Sequence, residues 1–199
     1  MKKDIILAGV GGQGILSIAA TIGTAALEMG MYLKQSEVHG MSQRGGDVMS
    51  NLRISDKEIY SDLIPFGKAD IIVAIEPMES LRYLPMLSST GWLISNSTPF
   101  INIPNYPEKE KVLNEINKFP RHILIDADNI AKELGSDKAA NMVILGAAAP
   151  YLGIPSENLE KAILAIFRKK DQKVIDLNIN ALRAGKDFAE KNVPLAQNN

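Results

Sequence analysis

The sequence predicts an α/β protein with a three-layer, Rossmann-like parallel sheet, a hairpin insertion and a helical C-terminal portion. Short apolar runs alternate with helical patterns through the first two thirds of the chain, which favours parallel strands with helices on both faces of the sheet. A glycine-rich turn joins the first apolar run to the first helical pattern. The last third contains only helical patterns.

The N-terminal region predicts one strand-turn-helix-strand unit. In chain order, we expect a buried strand at 4–8, a turn at 9–14, a helix at 15–29 and a second strand at 31–36. Such a unit implies a right-handed crossover between parallel strands.

The middle of the chain predicts a hairpin followed by further strands and helices. Alternating apolar residues predict a strand at 47–54, and the turn at 55–57 predicts that the chain returns along 58–61. We expect buried strands at 70–75, 91–95 and 122–125, and helices at 79–87 and 109–118. Asp126 and Asp128 are candidate caps for a helix that ends at Gly135.

The last third predicts three more helices. The segment 141–149 is small and apolar, so its helix is expected to pack on all sides. Ser156 can cap the next helix, and 173–192 form the last one. We expect residues 1–194 to form a single domain, which is a size that buries one core, and 195–199 to be a flexible tail.

The composition excludes several classes of function. The formal net charge is −1, so there is no electrostatic case for binding nucleic acid or an anionic membrane surface. No apolar run reaches the length of a membrane span, and the apolar start leads into glycines rather than a signal-peptide cleavage site. We therefore expect a cytoplasmic protein.

The residue types also limit the redox chemistry of this chain. There is no cysteine, which excludes disulfides, thiolate catalysis and a cysteine-ligated iron–sulfur cluster within the chain. The two histidines, His39 and His122, do not follow a metal-binding pattern, so no metal site is expected. Any redox centre must lie on another polypeptide.

The turn between the first strand and the first helix reads GVGGQG at 9–14, which follows the G-x-G-x-x-G pattern. Gly11, Gly12 and Gly14 predict a bare backbone that a ligand can approach at the helix N-terminus. Free N–H groups and the helix dipole favour a phosphate or carboxylate there. Gln13 adds an amide that can bind a polar ligand or a neighbouring chain. The same glycines would also suit close helix–sheet packing alone.

Glu37 lies near the end of the second predicted strand, where a dinucleotide-binding domain places the acid that binds a ribose. The glycine turn and Glu37 together leave open a free-standing module that binds a nicotinamide or flavin dinucleotide.

A second polar loop, EVHGMSQRGG at 37–46, combines charged, amide and imidazole groups with glycines. Its candidate site residues are Glu37, His39, Gln43, Arg44, Gly45 and Gly46. Arg44 can bind a carboxylate or phosphate through two parallel hydrogen bonds, and His39 could transfer a proton. Alternatively, Arg44 pairs with Glu37 or Glu76 and only fixes the loop. Both loops are expected at the carboxyl edge of the sheet, where open α/β sheets bind ligands.

These two segments, 9–14 and 36–46, resemble the gamma-type subunits of the 2-oxoacid:ferredoxin oxidoreductases. EPMESL at 76–81 and NMVILGA at 141–147 extend the resemblance, which runs from about residue 4 to about residue 189. Within that family the chain is most similar to the indolepyruvate branch. The second loop is the most specific part of the match, since the glycine turn alone occurs in many folds.

The resemblance implies an oxidoreductase subunit that is inactive alone. The complete enzyme would oxidatively decarboxylate a 2-oxoacid to an acyl-coenzyme A, with coenzyme A as co-substrate and ferredoxin as electron acceptor. A large catalytic subunit would hold the thiamine diphosphate and the iron–sulfur clusters. Indolepyruvate or another aryl pyruvate is the expected substrate, with pyruvate or another 2-oxoacid as the alternative.

The resemblance also implies roles for the two loops. Gly11, Gly12, Gln13 and Gly14 would face the active centre, and the loop of Glu37, His39, Gln43 and Arg44 would meet the catalytic subunit or the substrates. A non-catalytic module whose second loop only joins subunits is a further alternative. In isolation, a symmetric homodimer is a reasonable default.

Overall fold

The computed structural model of this protein describes residues 1–40 and 45–192. Its strands are β1 (Lys2–Val10), β2 (Tyr32–His39), β3 (Asp47–Ser55), β4 (Ala69–Ala74), β5 (Leu87–Asn96) and β6 (His122–Ile125). They form one sheet in the order β2-β3-β1-β4-β5-β6. The neighbouring pairs β1–β4, β4–β5 and β5–β6 are parallel, whereas β3 is antiparallel to both β1 and β2.

In the described part of the chain, seven α-helices flank or follow the sheet. They are α1 (Ile15–Glu28), α2 (Pro77–Arg82), α3 (Lys109–Asn117), α4 (Ala127–Glu133), α5 (Ala140–Leu152), α6 (Ser156–Phe167) and α7 (Gln172–Lys191). Short 3-10 turns lie at Leu84–Met86 and Asp137–Ala139. The predicted tail, 195–199, lies outside the described residues.

Two hydrophobic cores, one on each face of the sheet, give the three predicted layers. Because successive strand residues point to opposite faces, Ile5 and Leu7 belong to the larger core with α1 and the C-terminal helices. Ile6 belongs to the smaller core with Val112 and Ile116 of α3. The predicted fold class is therefore confirmed.

The hairpin exists, but its predicted location is wrong. Residues 58–61 form no strand. The hairpin consists instead of β2 and β3, with β3 inserted between β2 and β1, so that Leu52 lies opposite both Ile5 and Gln35. Both edges of β3 are thus already paired, which leaves no edge for a returning strand.

Three local predictions about helix ends have different outcomes. Asp126 caps α4 as expected, since its carboxylate accepts a hydrogen bond from the Asn129 N–H at 3.0 Å. The predicted single helix at 79–87 is wrong, because Pro85 lacks an N–H and interrupts it. The expected cap Ser156 is also wrong: it is the first helical residue, and Pro155, with fixed φ, takes the cap position.

Helices α5 and α7 cross in backbone contact. A Cβ atom at Gly146 would overlap the carbonyl of Leu182, and one at Gly185 would overlap the carbonyl of Val143. These two glycines let the C-terminal helix pack directly on the apolar helix α5, which in turn packs against the sheet. The predicted burial of α5 on all sides is confirmed, since nearly all of its side chains are buried.

The described helices differ from membrane-spanning segments in length or in apolarity. Within residues 1–40 and 45–192, no helix is both long and apolar enough to cross a membrane. The cytoplasmic location stays a prediction.

Candidate functional site

The glycine turn forms the sharp connection from β1 to α1. Gly12 (φ 100°) and Gly14 (φ 88°) both have left-handed backbones, which glycine adopts without a Cβ penalty. A Cβ at Gly14 would also lie 2.5 Å from Nδ2 of Asn141, whereas one at Gly12 would meet no atom within 4 Å. Gly14 is therefore needed for packing, and Gly12 leaves open space beside the backbone.

The side chain of Gln13 folds back into its own turn. Its Oε1 accepts a hydrogen bond from the Val10 N–H at 2.8 Å, and a Cβ at Gly9 would lie 3.0 Å from the same oxygen. We expected this amide to bind a ligand or another chain. Its oxygen holds the turn closed, and binding of a ligand or another chain by the rest of this amide stays a prediction.

Asn141, at the start of α5, ties the turn to the C-terminal helices. Its Nδ2 donates to the carbonyl of Gly14 at 3.3 Å. The N-terminus of α1 beyond Gly14 receives no side-chain cap from the part of the chain that the structure describes. The Ser17 N–H already donates to the carbonyl of Gly14 at 3.0 Å, so the first-turn donors that suit an external acceptor are the N–H groups of Ile15 and Leu16.

The end of β2 carries the charged pair of the second loop. Oε1 of Glu37 lies 3.0 Å from Nδ1 of His39, and the Glu37 side chain is 14% exposed against 61% for His39. The carboxylate is thus largely enclosed and orients an accessible imidazole.

Gln43 and Arg44 lie outside the described residues. Glu76, one of the two acids that Arg44 was expected to pair with, is almost fully buried. It accepts hydrogen bonds from the Glu79 N–H at 2.8 Å, from the Phe100 N–H at 3.3 Å and from the Tyr106 hydroxyl. Burial, together with this bond to Glu76, raises the pKa of the Tyr106 hydroxyl.

The two loops are bonded to each other through their backbones. The Gly11 N–H donates to the carbonyl of Gly46 at 2.8 Å, and the Gly45 N–H donates to the carbonyl of Gly11 at 3.5 Å. Nδ2 of Asn102 donates to the carbonyl of Gly45. The sequence prediction that these loops meet at the carboxyl edge of the sheet is confirmed for the described residues.

A cavity of about 630 Å³ lies between the two loops. Its polar lining comes from Gly11, Gly12, Gly14, Glu37, His39 and Gly40, and its apolar lining includes Ile15 and Leu16. The volume is within the range of small-molecule sites, which combine apolar walls with a few polar groups. Backbone N–H groups at one end suit an anionic oxygen, and the Glu37–His39 pair suits a hydroxyl or a proton transfer.

Sequence reasoning missed the residues that hold the two loops from a distance. Asn102 and Asn141 lie 57 and 127 positions from the residues that they contact. Asn141 opens one of the segments that carry the family resemblance, which was a usable signal. Asn102 lies in an irregular segment and gave none.

Asn96, at the end of β5, fixes the neighbouring part of the same edge. Its Nδ2 donates to the carbonyl of Ile75 at 3.2 Å and to Oδ2 of Asp128 at 2.7 Å, while its Oδ1 accepts from the Ala127 N–H at 3.1 Å. This buried amide therefore joins the ends of β4, β5 and β6. The segment that contains Asn102 follows the end of β5.

Among the residues that the structure describes, no group of three or more His, Cys, Asp or Glu side chains could hold a metal ion.

The Rossmann-like sheet and the cavity at its carboxyl edge define an α/β domain with a candidate ligand site. The family model for pyruvate ferredoxin/flavodoxin oxidoreductases matches residues 4–188. The chain therefore belongs to the pyruvate ferredoxin/flavodoxin oxidoreductase family, which confirms the resemblance found in the two loops.

Individual relatives agree with this membership. The chain is 37% identical to the indolepyruvate oxidoreductase subunit IorB of Archaeoglobus fulgidus, over 98% of this chain and 100% of that relative. It is 31% identical to the ketoisovalerate oxidoreductase subunit VorA of Methanothermobacter marburgensis, over 94% of this chain and only 36% of that relative. This domain thus also occurs as part of a longer chain.

A solved structure shows the same fold. The gamma subunit of a keto/oxoacid ferredoxin oxidoreductase from Geobacter sulfurreducens superposes with a TM-score of 0.71 at 26% sequence identity, covering 95% of this chain and 99% of that one.

Proposed function

We propose that this chain is the gamma-type subunit of a thiamine-dependent 2-oxoacid:ferredoxin oxidoreductase that acts on indolepyruvate or another aryl pyruvate. The complete enzyme decarboxylates the oxoacid, transfers the acyl group to coenzyme A and passes two electrons to ferredoxin. The observation that carries this proposal is the match to an indolepyruvate oxidoreductase subunit over nearly the whole of both chains.

The division of labour between the subunits follows from what this chain contains. It has no cysteine and so cannot supply thiolate ligands to an iron–sulfur cluster. In this proposal the clusters lie on a large catalytic subunit, which the family resemblance implies also holds thiamine diphosphate, and this chain contributes a rigid edge with an open cavity.

The residues of the glycine turn fit an anionic co-substrate such as coenzyme A. Gly12 leaves the backbone open to close approach, and the α1 N-terminus presents N–H groups that favour a phosphate. In this proposal Gly12 and Gly14 bind a phosphate oxygen of coenzyme A through their backbone, while the Gly11 N–H stays bonded to the carbonyl of Gly46. The adjacent apolar wall at Leu16 packs against its uncharged part.

The Glu37–His39 pair would act on the rim of the same cavity. Glu37 contacts Nδ1 of the imidazole, which leaves Nε2 as the ring nitrogen that can exchange a proton with a bound group. His39 is accessible and lines the cavity, so it can hold or move a proton once the catalytic subunit closes the site.

The substrate assignment is tested with the assembled enzyme. The chain is co-expressed anaerobically with its large subunit, and the purified complex is assayed for viologen reduction with indolepyruvate, phenylpyruvate, pyruvate or 2-oxoglutarate. We expect the highest kcat/KM for indolepyruvate. A complex that prefers pyruvate or 2-oxoglutarate would keep the subunit assignment and contradict the aryl pyruvate assignment.

A free-standing dinucleotide-binding module is the second candidate, and the position of Glu37 beside the glycine turn favours it. Calorimetric titration of the isolated chain with NADH, NADPH and FAD separates it from the first proposal. Micromolar binding of a dinucleotide would support this candidate, whereas the subunit proposal expects no heat of binding.

A third candidate is a module whose second loop only joins subunits. The Arg44→Ala variant separates it from a catalytic role. Loss of the complex would support a joining role, whereas an intact complex with slow turnover would support a role at the active centre.

A further inference from the structure

The segment between β5 and α3 contacts both the end of β4 and the second loop. We call this segment, residues 97–108, the strap. It contains no helix or strand, and the apolar side chains beside Asn102 are exposed: Ile101 by 71% and Ile103 by 37%. Core packing therefore contributes little to the order of this part of the strap, and its hydrogen bonds contribute more.

A single buried oxygen holds the strap at two points. Oε1 of Glu76 accepts hydrogen bonds from the Phe100 N–H at 3.3 Å and from the Tyr106 hydroxyl, and Glu76 is almost fully buried. Oε2 of Glu76 caps α2 by accepting from the Glu79 N–H at 2.8 Å. Because hydrogen bonds inside a protein are stronger than those in water, Glu76 fixes both ends of the stretch 100–106 beside the end of β4.

Asn102 lies between these two fixed points and reaches the second loop. Its Nδ2 donates to the carbonyl of Gly45. The Gly45 N–H donates to the carbonyl of Gly11 at 3.5 Å, and the Gly11 N–H donates to that of Gly46 at 2.8 Å. Since Gly11 lines the cavity, the strap and these bonds connect Glu76 with the cavity wall.

The glycines at the receiving end of this connection depend on such bonds. Gly45 (φ 80°) and Gly12 (φ 100°) have left-handed backbones, and a glycine loses more conformational freedom on ordering than any other residue. Neither has a side chain that could pack and fix its backbone. The bond from the strap to Gly45 therefore restricts a segment that would otherwise sample many conformations.

We propose that Glu76 is a positioning residue for the cavity and that it acts through the strap, an inference that rests on the proposed function. By holding Phe100 and Tyr106, Glu76 keeps Asn102 on Gly45. Gly45 in turn keeps the glycine turn in the conformation that receives a phosphate of coenzyme A. A turn that is ordered in advance loses less conformational entropy when it binds its ligand. Loosening the strap should weaken binding of coenzyme A and leave the chemical step on the catalytic subunit unchanged.

The variant Tyr106→Phe in the assembled enzyme tests the proposal. It removes one bond to Glu76 and leaves the cap of α2 intact, whereas a change of Glu76 itself would disturb both. Viologen reduction is measured with saturating indolepyruvate and varied coenzyme A. We expect the KM for coenzyme A to rise about fivefold or more and kcat to change less than about twofold.

Tyr151→Phe is the matched control, because it removes the same atom. The Tyr151 hydroxyl is buried and has no hydrogen-bond partner among the described residues. Tyr151 also lies near the opposite end of α5 from Asn141, which contacts the glycine turn. Both kinetic constants of this variant should stay within about twofold of the wild-type values.

A double-mutant cycle tests whether the strap carries the effect. Asn102→Ala removes the bond to Gly45 and should raise the KM for coenzyme A by a similar factor. If Glu76 acts through Asn102, adding Tyr106→Phe to Asn102→Ala should raise this KM by less than about twofold further. Multiplied effects of the two changes, or an unchanged KM in Tyr106→Phe, would overturn the proposal.

Hydrogen exchange of the chain alone gives a readout that does not need the catalytic subunit. In NMR measurements, the Gly11 amide should exchange about tenfold faster in Tyr106→Phe than in the wild type, while amides in the middle of α5 should not change. Equal Gly11 exchange in the two proteins would contradict the proposal. Faster exchange throughout α5 would show a general loss of stability and would contradict it as well.

The dependence of the wild-type complex on coenzyme A separates the two possible failures. If turnover with every 2-oxoacid is independent of coenzyme A, the proposed function fails, and the positioning role fails with it. If turnover requires coenzyme A but Tyr106→Phe has the wild-type KM, the positioning role alone is wrong.

Discussion

At the scale of single residues, Gly14 and Gly12 illustrate two different reasons why a position requires glycine: a left-handed backbone and a lack of space for a Cβ atom. Both have left-handed backbones, but only Gly14 faces a neighbour, Asn141, that a Cβ would strike. We expect Gly14→Ala to destabilise the protein by about 2 to 4 kcal/mol, and Gly12→Ala by about 1 to 2 kcal/mol, which is the backbone cost alone. Urea unfolding of both variants measures the difference, and equal losses would contradict the packing role of Gly14.

The Asp4–Arg53 pair is a structural element at the opposite edge of the sheet from the cavity. Arg53→Met would leave the buried carboxylate of Asp4 with Lys2, at 2.8 Å, as its one charged partner among the described residues. We expect the free energy of unfolding to fall by about 3 kcal/mol. This value is at the lower end of the cost of breaking a buried ion pair, because Lys2 still contacts Asp4.

The pair of Arg183 and Glu160 provides the control for that change. It is also bidentate, with both distances at 2.7 Å, but its Arg183 side chain is exposed. We expect Arg183→Met to cost less than about 1 kcal/mol. Similar losses for Arg53→Met and Arg183→Met would show that burial does not set the strength of the first pair.

His39 is the residue of the second loop that can move a proton. In the assembled complex, we expect His39→Asn to lower kcat for indolepyruvate by about a hundredfold, the lower end for loss of a general acid or base. Size-exclusion chromatography should show an unchanged complex. Normal turnover by this variant would remove His39 from the chemistry and leave the cavity as a binding site only.

At the scale of secondary-structure elements, the crossing of α5 and α7 depends on two glycines. Gly185→Ala would force its Cβ into the carbonyl of Val143, so the helices must separate. We expect a loss of about 3 kcal/mol or more in the free energy of unfolding, because overpacking at a backbone contact cannot be relieved by a rotamer change.

Gly23 in α1 is the matched helical control. A Cβ there would approach only the flexible end of Leu33, at 3.0 Å, and alanine favours a helix over glycine by about 1 kcal/mol. Gly23→Ala should therefore be close to neutral in thermal unfolding. A large loss in this variant, with none in Gly185→Ala, would contradict this account of the helix crossing.

The elements also show what local sequence patterns can and cannot predict. The alternation at 47–54 identified β3, and glycines and capping residues placed the ends of α1 and α4, because those signals act within a few residues. The partner of β3 could not be predicted in this way. Pairing with both β1 and β2 depends on contacts between distant segments, such as that of Leu52 with Ile5.

At the scale of the whole molecule, the sequence predicted the layers of the sheet and the edge that bears the site. Both loops were placed at the carboxyl edge because parallel strands end together there. The anchors Asn102 and Asn141 were not predicted, since each depends on tertiary packing. A purely local pattern also could not show that the oxygen of Gln13 is used within its own turn.

The whole molecule presents a preorganised but incomplete site. A cavity with apolar walls, uncapped helix N–H groups and the Glu37–His39 pair lies at one edge. A subunit that completes the active centre of a larger enzyme would have these features.

Reconstitution of activity tests this central claim most directly. The purified chain is titrated into its purified large subunit under anaerobic conditions, and viologen reduction is followed with indolepyruvate and coenzyme A present. The account predicts that neither chain is active alone and that activity rises with added chain to a stoichiometric end point. Full activity of the large subunit without this chain, or no activity at any ratio with indolepyruvate or other 2-oxoacids, would contradict it.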